Sequence, residues 1–183
     1  MQGARYAVVA YVRSPVGEFV ENLRRELLPG VPFLPAHLTI LPPRPLKGTE
    51  AAALEMVEEA CREASPFEVS MGDVETFAPA THTVFIRVAH AAYRMRELHD
   101  RLNAGVLQGE EQWPYMPHLT IAKMATEREA RPIYEVAHQR WHEFQESRRI
   151  YLGQLTFVRE KTENSWIDLA PVPLGGSLVS GPR

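Results

Sequence analysis

The sequence predicts two pseudo-symmetric lobes, each mixing helices with strands, that face one another across a cleft. Three observations carry this expectation. The run PAHLTI at residues 35–40 returns almost unchanged as MPHLTI at residues 116–121. Around each copy the same order of strand, helix, strand and helix recurs. The offsets also agree, at about 75 residues between the first helices, 81 between His37 and His118, and 80 between Phe77 and Phe157. Two copies are too few for a solenoid, whose units need several neighbours to bury a continuous core, so the halves are expected to close on each other.

In the first half, RYAVVAYV (5–12) reads as a buried strand and PVGEFVENLRREL (15–27) as an amphipathic helix with Phe19, Leu23 and Leu27 on one face. HLTIL (37–41) is a second strand, and TEAAALEMVEEACREA (49–64) a helix with Thr49 as its N-cap. FEVSM and VETFA follow as two short strands. In the second half, TVFIRV (83–88) is a strand, and YRMRELHDRLNAGV (93–106) a helix carrying Met95, Leu98 and Leu102. HLTIA (118–122) is again a strand. TEREARPIYEVAHQRWHEF (126–144) is a helix capped by Thr126, whose start Pro132 leaves open, and RRIYL and LTFVRE close the repeat. The Gly/Pro/Ser-rich run at 171–183 reads as a flexible tail, so the expected organisation is one domain over residues 1–170.

Composition narrows the function classes. At 183 residues the chain can bury a core without staples, and 45% hydrophobic with 23% charged residues is ordinary for a globular protein. No apolar run approaches the roughly 18 residues of a spanning helix, and the first residues lack a leader pattern, so the expectation is a cytoplasmic protein with no membrane partner. A net charge of −3 gives no broad footprint for duplex nucleic acid, so a nucleic-acid substrate would be gripped locally, at an end or a phosphate. The single Cys61 falls on a stripe with Leu54, Val57 and Ala64 and reads as a packed thiol, not a nucleophile.

The repeated motif is where chemistry concentrates. With a side-chain period of two, His37 and Thr39 share one face of their strand while Leu38 and Ile40 take the other, and His118, Thr120, Leu119 and Ile121 repeat the arrangement. Two imidazoles can act as base and acid in one displacement, because histidine exchanges its proton near neutral pH. Two hydroxyls suit the non-bridging oxygens of a phosphate held between them. One His-x-Thr alone means little, since seven histidines and nine threonines give on the order of 0.3 such tripeptides by chance. Two in corresponding places of matching halves mean much more. His138 and His142, with Glu135 along one helix, have a spacing that could hold zinc, but no third ligand converges and a solvated face is expected. His82, His90 and His99 read as loop or surface residues. Phe77 and Trp166 could stack a nucleobase, although an aromatic near a strand is more often core.

The two motifs, with the flanking runs HLTILPPRPL, PYMPHLTIAK and ETFAPATHTVFIRV, resemble the paired His-x-Thr/Ser-x motifs of the 2H phosphoesterase superfamily, which includes bacterial RNA 2′,3′-cyclic phosphodiesterases, also called 2′-5′ RNA ligases. The likeness spans residues 4–170. It implies an α+β fold with antiparallel sheets lining a central cleft, helices outside, and His37, Thr39, His118 and Thr120 as the catalytic set. It also implies metal-independent opening of a 2′,3′-cyclic phosphate to a 2′-phosphate, reversible as 2′-5′ ligation. No cofactor and no metal are expected; the partner is an RNA end or small cyclic nucleotide, and the protein is expected to be a monomer. Arg44 and Lys123 follow the motifs closely enough to supply positive charge, and Phe77 and Tyr115 are further candidate substrate contacts. The family often has an arginine just after the second motif, where AKM stands here; if Lys123 is its counterpart, a bidentate grip is lost. The near symmetry leaves open which histidine is base. A nucleotide- or RNA-end-binding module without turnover is the competing reading.

Overall fold

A computed structural model describes residues 3–176. The first half runs β1 (Tyr6–Tyr11), α1 (Pro15–Leu27), β2 (His37–Arg44), α2 (Glu50–Glu63) and β3 (Phe67–Thr76). The second runs β4 (His82–His90), α3 (Ala92–Leu102), a short 3-10 turn (Gly105–Leu107), β5 (His118–Met124), α4 (Glu127–Glu143), β6 (Arg149–Leu152), β7 (Gln154–Thr162) and β8 (Ser165–Pro173). The strands form one antiparallel sheet in the order β6-β3-β4-β5-β2-β1-β7-β8. The expected α+β class with antiparallel sheets and outer helices is therefore what the chain adopts. The two motif strands are central neighbours, yet the ladder between them has a single register pair, Leu38 with Leu119. The sheet is thus two four-stranded halves joined at a narrow seam.

Local chemistry explains the elements. Thr49 accepts a hydrogen bond from the Ala52 N–H, and Thr126 forms a capping box with Glu129, so both helices start where the sequence puts their caps. Pro132 lies inside α4, which continues past it. The helices turn Val16, Val20 and Leu23, then Ala53, Val57 and Cys61, then Met95, Leu98 and Leu102, then Ile133, Ala137 and Trp141 toward one face of the sheet. There they bury Leu38, Ile40, Leu119 and Ile121, each side chain contributing about 1.5–3 kcal/mol of transfer free energy. The motif's apolar positions hold the core, leaving its polar positions on the face without helices.

The halves exchange strands. β3 follows the first motif's helix but pairs with β4 and β6, and β7 follows the second motif's helix but pairs with β1. FEVSM and VETFA, expected as two strands, are one strand, β3, with a bulge at Gly72–Asp73. Its counterpart is truly divided: at Gly153, 81 residues after Gly72, the chain leaves β6 and enters β7.

The expectation of a flexible tail from residue 171 needs correction. β8 continues to Pro173, the Leu174 N–H donates to the Gly153 carbonyl at 2.9 Å, and Leu174 is buried. Pro171 and Pro173 disguise this strand, but it is an edge strand, where a residue without an N–H is tolerated. Residues 177–183 of the expected tail lie outside the described residues.

Candidate active site

Leu38 and Leu119 pair antiparallel, and extending that register sets His37 opposite Thr120 and Thr39 opposite His118. In that register each imidazole lies across the seam from the other motif's hydroxyl, with the imidazoles on a diagonal, and the charge of His118 is felt at His37. All four residues are half-buried.

The same bond orients both rings. His37 Nδ1 lies 2.8 Å from the Pro35 carbonyl oxygen, and His118 Nδ1 lies 2.7 Å from that of Met116. A carbonyl only accepts, so Nδ1 carries the proton in each ring and the Nε2 lone pair is left for substrate. Burial lowers both histidine pKa values; the carbonyl bonds oppose it. For His37 the charges of Arg24, Lys123 and His118 lower it further, and for His118 that of Lys123 does. Both rings are held toward the neutral form.

A second repeated feature follows each motif. Thr39 pairs with Val9 and Leu41 with Val8, so Ile40 is an extra residue; Thr120 pairs with Phe85 and Ala122 with Val84, so Ile121 is its equivalent. A bulge shifts the alternation by one residue. Ile121 and Ala122 are consequently both buried, and exposed Lys123 returns to the face of His118 and Thr120. The residue 81 positions earlier is Pro42.

Arg44 requires a correction. It is 5% exposed, donates to the Pro42 and Leu107 carbonyls and to Asn103 Oδ1, and pairs with Glu111 at 2.9 Å. Its guanidinium is a buried structural pivot, with four of its five N–H donors taken up by these protein partners. His99 is likewise no surface residue: it is 6% exposed, its Nε2 lies 2.7 Å from Glu111, and its ring stacks on Tyr115 at 4.1 Å. Tyr115 donates its hydroxyl to the Thr39 carbonyl at 2.8 Å, and burial raises its pKa. It therefore touches the motif strand itself. Phe77 meets the His118 ring edge-on at 5.1 Å and stacks on Phe85 at 4.0 Å. Trp166, on β8, packs with Tyr11 against the small cluster of Ala7, Val9 and Val158 on the helix-free face.

Phe85 and Arg24 were not legible as site residues. Phe85 lies in the uniformly apolar and buried run VFI of β4 and Arg24 on α1, and neither carries a local signal. His138 and His142 are exposed on α4, and among the described residues no group of three or more His, Cys, Asp or Glu could hold a metal ion. Among the described residues, too, no helix is long and apolar enough to cross a membrane.

Two half-sheets meeting at a seam, with a histidine and a threonine from each on the open face, define the two-histidine phosphoesterase class. The sequence profile of the 2′-5′ RNA ligase superfamily matches residues 12–164, and the chain belongs to that family. Phosphoester chemistry is the class of activity that membership assigns. A provisionally named phosphoesterase of Oceanobacillus iheyensis is 27% identical over 122 residues, covering 65% of this chain and 70% of its own. Another from Geobacillus thermodenitrificans is 21% identical over 175 residues, covering 94% and 97%. The fold is shared with the crystal structure of TT0787 of Thermus thermophilus, at TM-score 0.65 and 18% identity over 94% of this chain and 98% of that one. It is also shared with Escherichia coli LigT crystallised with NADP+, at TM-score 0.64 and 13% identity over 96% and 100%. LigT has also been crystallised with 3′-AMP, at TM-score 0.61 and 13% identity over the same shares.

Proposed function

We propose that the protein opens 2′,3′-cyclic phosphates of RNA ends or small nucleotides, leaving a 2′-phosphate. The observation that carries this reading is the pair of diagonal imidazoles, each with Nδ1–H tied to a carbonyl and Nε2 free. One neutral Nε2 takes a proton from water as the water oxygen bonds to phosphorus. The other ring, protonated, gives its Nε2 proton to the ribose 3′ oxygen as the bond from that oxygen to phosphorus breaks. Thr39 and Thr120 donate to the non-bridging oxygens, and the Lys123 ammonium offsets their charge. With proton transfer supplied by the histidines, no step calls for a metal. His37, whose neutral form is favoured by burial and by three neighbouring like charges, takes the role of base, and His118 that of acid. An RNA 5′-hydroxyl in place of water gives 2′-5′ ligation, with hydrolysis dominant because water is abundant. LigT's crystallisation with phosphate and with 3′-AMP supports a phosphate-bearing nucleotide as ligand here.

The test is incubation of the pure protein with 2′,3′-cyclic nucleotides and cyclic-phosphate RNA ends, in EDTA, with products separated by chromatography. A 2′-phosphate product that persists under chelation is the expected result. Activity lost in EDTA and restored by one divalent ion would overturn the metal-free step. Specific binding without turnover across all these substrates would establish the binding module instead.

A further inference from the structure

The seam between the half-sheets is thin, yet the site needs the two motifs at a fixed separation. We infer that Arg24 and Tyr115 form a reciprocal clamp across it, each side chain reaching from one half to hold the backbone of the other half's motif threonine. The inference rests on the proposed reaction only for its catalytic consequence.

Beyond the Leu38–Leu119 pair the ladder between β2 and β5 stops, so motif carbonyls at the seam need other partners. Arg24, on α1 of the first half, donates from Nη2 to the Thr120 carbonyl at 2.6 Å and from Nε to the Ile121 carbonyl at 3.0 Å. These are the second motif's threonine and its bulge residue. The same guanidinium donates from Nη1 to the Leu34 carbonyl at 2.7 Å, in the segment that leads into His37. One turn earlier on α1, Glu21 accepts from the Ala36 N–H at 3.0 Å. The rigid, planar fork therefore links the approach to one imidazole with the strand of the other. In the opposite sense Tyr115, from the segment entering β5, donates to the Thr39 carbonyl at 2.8 Å. Its ring is fixed by its parallel stack on His99, which Glu111 holds in turn.

The chain thus reaches Thr39 and Thr120 by different residue types from opposite sides, and the relation is not one the sequence repeat could copy. Loosening either contact lets the seam open. The hydroxyls and imidazoles then separate, and a misplacement of about 1 Å can lower a rate by about 10²-fold while individual groups still bind. Arg24 and Tyr115 are positioning residues that act through the threonine strands.

The full-length variants Tyr115→Phe and Arg24→Lys test this. Tyr115→Phe removes only the hydroxyl and keeps the stack; Arg24→Lys keeps the charge but loses the fork. With circular dichroism unchanged, the single-turnover rate on a 2′,3′-cyclic nucleotide is expected to fall about tenfold in each, with KM and inhibition by inorganic phosphate changed less than about twofold. The double variant should fall by less than the product of the single losses, because both residues restrain one coordinate. Amide exchange at Leu38 and Leu119, read without substrate, should accelerate in both. Folded variants with wild-type single-turnover rates, or a loss wholly in KM, would overturn the clamp, as would unchanged seam exchange. Faster exchange in a protein with no turnover would uphold the clamp and sink the phosphodiesterase reading instead.

Discussion

His37 and His118 are oriented by the same bond to the carbonyl two residues back, and a bulge follows each motif at Ile40 and Ile121. The walls around them differ. His118 meets Phe77 and Phe85 edge-on, and its strand returns Lys123 to the open face. His37 pairs across β1 with Tyr11, whose hydroxyl bonds to Asp168, and Pro42 stands where the other half has lysine. The repeat thus keeps the two imidazoles and the bonds that orient them, while the residues around them differ. A symmetric phosphodiester could be served by a symmetric site. An unsymmetrical site suits a substrate whose attacking and leaving sides differ, as water and a ribose oxygen do.

Removing the shared part should have the largest effect. His37→Ala and His118→Ala are each expected to lower the single-turnover rate by roughly 10²–10⁴-fold with the fold intact, and the double variant to be scarcely worse than the poorer single one. The halves should then separate on an aryl phosphodiester, whose nitrophenolate leaves without a proton: His118→Ala recovers on it and His37→Ala does not. Recovery of His37→Ala alone would exchange the two roles, and near-wild-type rates for both folded variants would remove the mechanism.

Arg44 sharpens the comparison through stability instead of chemistry. It belongs to the first motif's strand but bonds Asn103, Leu107 and Glu111 of the second half, so it pins the two together. Arg44→Leu leaves Glu111 with His99 alone and removes a donor from the Leu107 carbonyl, and a loss of roughly 1–3 kcal/mol in denaturant unfolding is expected. Phosphate affinity of the folded fraction should stay unchanged. An affinity that falls while stability holds would return Arg44 to the substrate.

How far the sequence could be read follows the same division. The caps at Thr49 and Thr126, the helix stripes and the inward Leu and Ile of each motif are local signals with a fixed period, and they fold as read. Arg44 could not be read, because the carboxylate that takes it, Glu111, lies 67 residues away and nothing local distinguishes a paired cation from a free one. His99 sat at a helical position beside charged neighbours, and only the stacking of Tyr115 and the approach of Glu111 bury it. The bulges were silent because both residues at each, Ile40 with Leu41 and Ile121 with Ala122, are apolar and give no break in pattern. The face on which Lys123 emerges depends on that silent residue. The edge strand β8 was hidden by prolines that would exclude a central strand.

Lys123 tests the divergent part directly. Lys123→Met keeps the stem and removes the charge, so a loss of about 1.5–3 kcal/mol in kcat/KM is expected, consistent with one charge-assisted contact to phosphate. Pro42→Ala, at the equivalent place of the other half, should change kcat/KM less than about twofold, since no charge is removed. Equal effects at the two positions would mean that the halves grip substrate alike.

The smallest expected effect is a displacement of the pH profile, and its sign follows from the two environments. Burial lowers both histidine pKa values in the free protein below the ordinary 6.5, and the neighbouring positive charges push the same way. The kcat/KM profile reports the free protein, so it should be bell-shaped with both limbs on the acid side of that value. The two apparent values belong to the pair and not to either ring. A bound phosphate brings negative charge beside both rings, which favours imidazolium and raises both values. The kcat profile, which reports the complex, should therefore lie to the alkaline side of the kcat/KM profile. Lys123→Met removes a like charge from both rings, so in the free protein it should move the kcat/KM limbs back toward 6.5. Measuring both profiles for the wild type and Lys123→Met decides this. Bell-shaped profiles that coincide would mean that the bound phosphate does not act on the two rings, and a rate that climbs steadily to high pH would indicate hydroxide attack on a bound phosphate with no proton held by either histidine.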